Sequence, residues 1–130
     1  MEAQLRDACI LGRVGDVRFC LDRGADVETT YTNEEAGWRP LWIACNFGRA
    51  EVASLLLERG ASVDAVDRDG LAPLHAACKE GHPDAARVCL GHGVDIERAS
   101  APPYNATPLS LACENDHATW CGYLQSVAQT

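Results

Sequence analysis

Seven cysteines and four histidines are the residues of this 130-residue chain best suited to chemistry. A thiolate is a nucleophile, a redox centre and a soft metal ligand, and an imidazole moves protons or holds zinc. The thiols are Cys9, Cys20, Cys45, Cys78, Cys89, Cys113 and Cys121. An odd number cannot all be paired in disulfides, and no two form a Cys-x-x-Cys pair. His75, His82, His92 and His117 form no His-Glu-x-x-His motif. There is no Gly-rich phosphate loop, no Asp-rich metal loop and no Ser, His and acid nucleophile motif. The expectation is therefore a chain with no catalytic residue, no metal site and no cofactor.

Spacing gives the thiols another meaning. Cys9, Cys45, Cys78 and Cys113 each follow an Ala and recur at intervals of 36, 33 and 35. Their surroundings recur too. Gly37-Trp38-Arg39-Pro40-Leu41-Trp42-Ile43-Ala44-Cys45 matches Gly70-Leu71-Ala72-Pro73-Leu74-His75-Ala76-Ala77-Cys78 and then Asn105-Ala106-Thr107-Pro108-Leu109-Ser110-Leu111-Ala112-Cys113. Gly24-Ala25-Asp26-Val27, Gly60-Ala61-Ser62-Val63 and Gly93-Val94-Asp95-Ile96 repeat in the second half of each unit. Self-similarity at such a period marks a stacked array.

One unit reads as helix, turn, helix and extended finger. Pro73 suits a first helical position, whose N–H has no intrahelical partner. Leu74, Ala77 and Cys78 lie at i, i+3 and i+4, a short apolar stripe. Gly81 stops that helix, and His82-Pro83-Asp84 opens the next with an acid in its first turn. Ala85, Val88 and Cys89 carry its apolar face. The following stretch is rich in turn residues and reads as a hairpin-like finger. One such pair cannot bury its own stripe, whereas stacked neighbours can.

On these motifs the chain resembles the ankyrin-repeat family. The residues that carry the resemblance are Ala72-Pro73-Leu74-His75-Ala76-Ala77-Cys78, Gly81-His82 and Leu55-Leu56-Leu57-Glu58-Arg59-Gly60-Ala61-Ser62-Val63. The resemblance runs from about Gln4 to about Gln125. It implies an all-α solenoid of four helix-turn-helix units linked by β-hairpin-like fingers. The expected organisation is one domain over 1–130, with units at about 3–36, 37–69, 70–104 and 105–130.

Departures from the motif are as useful as matches. Its Thr survives only as Thr107, with Arg39 and Ala72 in the other units. A lost cap hydroxyl costs about 1 kcal/mol. Its His survives only as His75, where a hydrogen bond within the fold is implied, while Arg6, Trp42 and Ser110 fill the same column. The opening Gln4-Leu5-Arg6 reads as a polar cap. Two fingers are longer than the second, adding Tyr31-Thr32-Asn33-Glu34-Glu35 and Ala101-Pro102-Pro103-Tyr104. Insertions in such arrays map to loops on one face.

Every thiol fits a repeat column. Cys20 and Cys89 share one with Leu56 and Leu124, and Cys121 shares one with Val17, Ala53 and Ala86. Stacked helices lie about 8–10 Å apart. A disulfide needs Cα atoms within about 7 Å, and zinc needs sulfurs about 2.3 Å from the ion. Column-mates meet neither condition, so the thiols read as small apolar packers. His82 and His117 share a turn column with Arg13 and Arg49, and His92 sits near a helix end.

The resemblance implies that partners bind on the concave face of finger tips and first helices. The corresponding positions are Glu35, Trp38, Asn46 and Phe47 in unit two, with Tyr31 and Trp42 close by. Unit three supplies Arg68, Asp69, Leu71, Lys79 and Glu80, and unit four supplies Pro103, Tyr104, Glu114 and Asn115. Trp38 and Tyr104 are aromatic at places the repeat does not require to be apolar, which suits interface anchors. Trp42 and Phe47 are equally explained by packing, and Trp120 by core or cap packing.

Charge narrows the partner. The formal net charge is −8, which opposes nucleic acid and anionic membrane as general ligands. Glu28, Asp64 and Glu97, with Glu34, Glu35, Asp67 and Asp69, form an acidic rim expected to steer a basic protein surface. Apolar runs such as Val52 to Leu57 fall far short of the roughly 18 residues of a membrane span. Met1-Glu2-Ala3-Gln4 opens no export signal. Free thiols in this number suit an intracellular compartment, cytoplasmic or nuclear. The leading expectation is a non-enzymatic, monomeric protein-binding scaffold with an end open to stacking. The rivals are a small ankyrin-type regulator of an enzyme or polymerising protein, and a thiol or metal function.

Overall fold

Gly12 and Gly48 show how the units are cut and joined. Both lie in the left-handed region, at φ 74° and 72°, where a side chain strains the backbone. Each ends a helix through a six-to-one bond. The Arg13 N–H reaches the Ala8 carbonyl at 2.9 Å, and the Arg49 N–H reaches the Ala44 carbonyl at 2.7 Å. Space matters as well. A Cβ on Gly12 would lie 2.8 Å from Arg49 Cδ, and one on Gly48 would lie 2.5 Å from His82 Nδ1. The turn column that holds Arg49 and His82 therefore stacks each unit onto the glycine of the unit before it. Arg49 Nε adds a hydrogen bond to the Ile10 carbonyl at 2.9 Å.

The computed structural model describes residues 2–29, 38–63, 66 and 71–92. Six helices are present among them: α1 (Glu2–Leu11), α2 (Val14–Asp22), α3 (Pro40–Asn46), α4 (Ala50–Glu58), α5 (Pro73–Glu80) and α6 (Pro83–Leu90). Proline opens α3, α5 and α6. Contacts run α1 to α3 to α5 in one layer and α2 to α4 to α6 in the other. Each unit packs its own two helices across the layers. This is the expected all-α repeat solenoid. The fourth unit and most of each finger lie outside the described residues.

The core follows the columns. Leu5, Leu41 and Leu74 are buried at one repeat position, and Cys9, Cys45 and Cys78 at another. Val17, Ala53 and Ala86 form a third, and Cys20, Leu56 and Cys89 a fourth. Burial of a Leu-sized side chain contributes about 1.5–3 kcal/mol. All five described thiols are buried and free of disulfides. Cys113 and Cys121 lie outside the described residues.

The outer face of unit one differs from its stacked equivalents. Ile43 and Val52 of unit two are buried. Their counterparts in unit one are Asp7 and Asp16, both with exposed side chains. These two positions carry carboxylates where unit two carries buried apolar side chains. Leu11 and Phe19 remain apolar on that face, at 53% and 55% exposure. Arg23 covers part of Phe19, with its guanidinium 4.9 Å from the ring centroid.

Candidate partner-binding face

Helix α3 begins without a side-chain cap. Its N-cap residue is Arg39, in extended conformation. In α5 the cap residue is Ala72, which has no hydroxyl either, but His75 compensates. Its Nδ1 accepts the Ala72 N–H at 3.1 Å, half of a capping box. The ring is only 1% exposed. This is the structural role the resemblance implied for His75.

Trp42 occupies the same position in α3 and does something else. Its Nε1 donates to the Leu71 carbonyl at 3.0 Å, in a buried bond. Unit two is thereby tied to the entrance of unit three. Burying an indole requires a partner for its N–H, and this carbonyl is that partner. Trp38 stacks on Trp42, with ring centroids 4.2 Å apart and planes 19° from parallel. Trp38 itself is half-buried. The result is an aromatic ledge at the base of a finger, fixed from below by an inter-unit hydrogen bond.

The other expected contact residues are placed as follows. Asn46 is half-buried and Phe47 is 38% exposed, both at the end of α3. Lys79 is half-buried and Glu80 exposed, at the equivalent end of α5. Trp42 and Leu71 are buried, at 5% and 4% exposure. Neither side chain is therefore presented to solvent as a contact surface. Tyr31, Glu35, Arg68, Asp69, Pro103, Tyr104, Glu114 and Asn115 lie outside the described residues.

Glu28, one member of the expected acidic rim, has a structural task. Glu28 Oε1 accepts the Ser62 N–H at 3.1 Å, and Oε2 lies 4.0 Å from Arg39 Nε. The Glu28 N–H is itself held by Asp26 Oδ1 at 2.9 Å. Glu28 therefore clamps the first finger base to the second. The remaining rim carboxylates, Glu34, Glu35, Asp64, Asp67, Asp69 and Glu97, lie outside the described residues.

Two of the described thiols, Cys9 and Cys45, are held protonated by their surroundings. Burial, with Cys20 nearby, pushes the Cys9 thiol up to about 12. The contact with Cys89, and then burial, hold Cys45 well above the ordinary thiol range. Among the described residues no group of three His, Cys, Asp or Glu side chains is arranged to hold a metal ion.

Comparison with known proteins agrees with this geometry. The family profile described as "Ankyrin repeats (many copies)" matches residues 41–87, a span that contains α4, α5 and most of α3 and α6. The chain belongs to the ankyrin-repeat family. It is 39% identical over 84 residues to human "Ankyrin repeat and KH domain-containing protein 1", covering 65% of this chain and 3% of that protein. It is 35% identical over 94 residues to human "SMC5-SMC6 complex localization factor protein 1", covering 71% of this chain and 9% of that protein. Mouse "Protein phosphatase 1 regulatory subunit 27" is 34% identical over 92 residues, with 68% of this chain and 58% of that protein covered. The chain thus spans less than a tenth of the length of the two large relatives. Ankyrin repeats are in general protein–protein interaction modules. Among the described residues no helix is long and apolar enough to cross a membrane.

Proposed function

We propose that this ankyrin array is a non-enzymatic binding module whose concave face, at the finger bases and first helices, receives a loop or helix of another protein. The observation that carries this reading is the Trp38 ledge. Trp38 keeps part of its surface exposed at a family contact position while its ring rests on a buried, hydrogen-bonded Trp42. Rigid, preorganised aromatics make effective anchors because little freedom is lost on binding. Phe47 and Asn46 extend the surface along α3, and Lys79 and Glu80 along α5. The acidic rim selects a partner with a basic surface and speeds its approach. The partner and the array share an intracellular compartment. Affinity capture from the native cell, with wild type and Trp38→Ala in parallel, tests the reading. A protein enriched by the first and lost by the second supports it; equal enrichment by both refutes the anchor.

A second reading has its own support. The mouse phosphatase regulatory subunit is matched over more than half its length, so an array of this size is a large part of one small regulator. On this reading, occupation of the same face changes the activity of an enzyme partner. Adding the array to protein phosphatase 1 and following substrate turnover tests it, and unchanged turnover at saturating array rejects that target.

A further inference from the structure

Cys45 and Cys89 belong to different repeat columns and different units, yet their sulfurs lie 3.4 Å apart. Cys45 is on α3, in the inner layer, and Cys89 is on α6, in the outer layer of the next unit. The two helices touch in the core, and both residues are fully buried. Column-mates are kept apart by the helix spacing, but this pair is diagonal and meets in the seam between units.

We propose that Cys45 and Cys89 are a disulfide-forming pair, a modification site that small disulfides such as oxidised glutathione close, joining unit two to unit three. A disulfide has sulfurs about 2.05 Å apart, so the two must approach by a little over 1 Å. The partners are 44 positions apart in sequence, and the bond spans a boundary otherwise held by packing and single hydrogen bonds such as Trp42 to Leu71.

The chemistry balances as two exchanges. One protein thiol loses its proton and attacks a sulfur of the small disulfide, releasing one small thiolate. The other protein thiol, also deprotonated, then attacks the protein sulfur of that mixed disulfide and releases the second small thiolate. The protein loses two electrons and two protons, and one small disulfide becomes two small thiols. In the closed array neither sulfur meets solvent, and Cys45 holds its proton firmly. Exchange therefore passes through partial separation of unit three from unit two, the kind of local opening that stacked arrays undergo. Once formed, the bond opposes that opening and restricts the unfolded chain.

The test uses the full chain. It is incubated with oxidised glutathione at mildly alkaline pH, in urea concentrations below the unfolding transition. Remaining thiols are then alkylated and the linked peptides mapped by mass spectrometry. The expected product is a Cys45–Cys89 link, formed faster as urea rises. It exceeds links from Cys9 to Cys20 or from Cys45 to its column-mate Cys78. The oxidised chain should melt several degrees higher than the reduced one and return on reduction. Cys89→Ala should abolish the link and that shift. Cys45→Ala should do the same, which covers failure of either variant to fold. Stable glutathione adducts on both sulfurs, links spread over all seven thiols, Cys45 joined to Cys78, or no exchange at either residue below the transition would each overturn the proposal.

Discussion

Trp38 lies flat on Trp42, 4.2 Å between ring centroids, and Trp42 in turn donates its indole N–H across a unit boundary to the Leu71 carbonyl. A residue of the proposed binding face is thus coupled to the joint between two repeats. Surface and scaffold are separable here by substitution, because the ledge and its support are different side chains.

Trp38→Ala should leave the array folded. Its indole is half-buried at the edge of the core, and its loss removes the stacking contact, a cost of about 1 kcal/mol beyond its share of buried area. Trp42→Phe keeps a ring beneath Trp38 but deletes the donor. It should lower stability by about 1 kcal/mol through the lost buried hydrogen bond, with a smaller effect on partner capture than Trp38→Ala. Urea unfolding of both variants checks the pair.

Gly48→Ala should destabilise more than Gly24→Ala. Both residues have positive φ, 72° and 97°, which costs an alanine about 1–3 kcal/mol. Only Gly48 has an obstacle, since a Cβ there would lie 2.5 Å from the His82 ring, whereas nothing lies within 4 Å of one on Gly24. The difference between the two unfolding free energies reads the cost of crowding the His82 ring at the unit boundary.

Alkaline pH should weaken the array. Cys9 titrates near 12 in the folded state against 9.0 ordinarily, so the folded state holds a proton that the unfolded chain has released between those values. Stability from this source is whole below about pH 9 and declines as pH rises towards 12, by up to about 1.4 kcal/mol per pH unit. Urea midpoints from pH 8 to 11 should fall for wild type and fall less steeply for Cys9→Ala.

Glu28→Gln separates the two tasks of the acidic column. The amide oxygen still accepts the Ser62 N–H, so stability should change by less than about 1 kcal/mol. Charge reversal of Glu35 and Asp69 together should slow association with a basic partner at low salt and have little effect at high salt. Association rates at two ionic strengths give the comparison.

The array was legible because its punctuation is local. Gly12, Gly48 and Gly81, the prolines at helix starts and the apolar stripes each speak for a few neighbouring residues. Thiols aligned in columns likewise announced a shared packing role, and His75 a hydrogen bond within the fold. What escaped the sequence were contacts between non-equivalent positions of adjacent units. Column comparison brings Cys45 next to Cys78, not next to Cys89. Nothing in the motif shows that an indole replacing the usual His would turn towards Leu71. Glu28 looked like free rim charge because its acceptor role depends on where the Ser62 N–H falls in the next unit. Such diagonal relationships depend on the rise and twist between repeats, which no single repeat encodes.

The most direct measurement is the affinity of the captured partner for three forms of the array, by titration calorimetry. Wild type, Trp38→Ala on the concave face and Phe19→Ala on the outer helix α2 are compared. Trp38→Ala should weaken binding by at least about thirtyfold, the scale of an anchor worth 2 kcal/mol, and Phe19→Ala should bind as wild type does. Equal affinities for wild type and Trp38→Ala, or a loss confined to Phe19→Ala, would contradict binding on the Trp38 ledge.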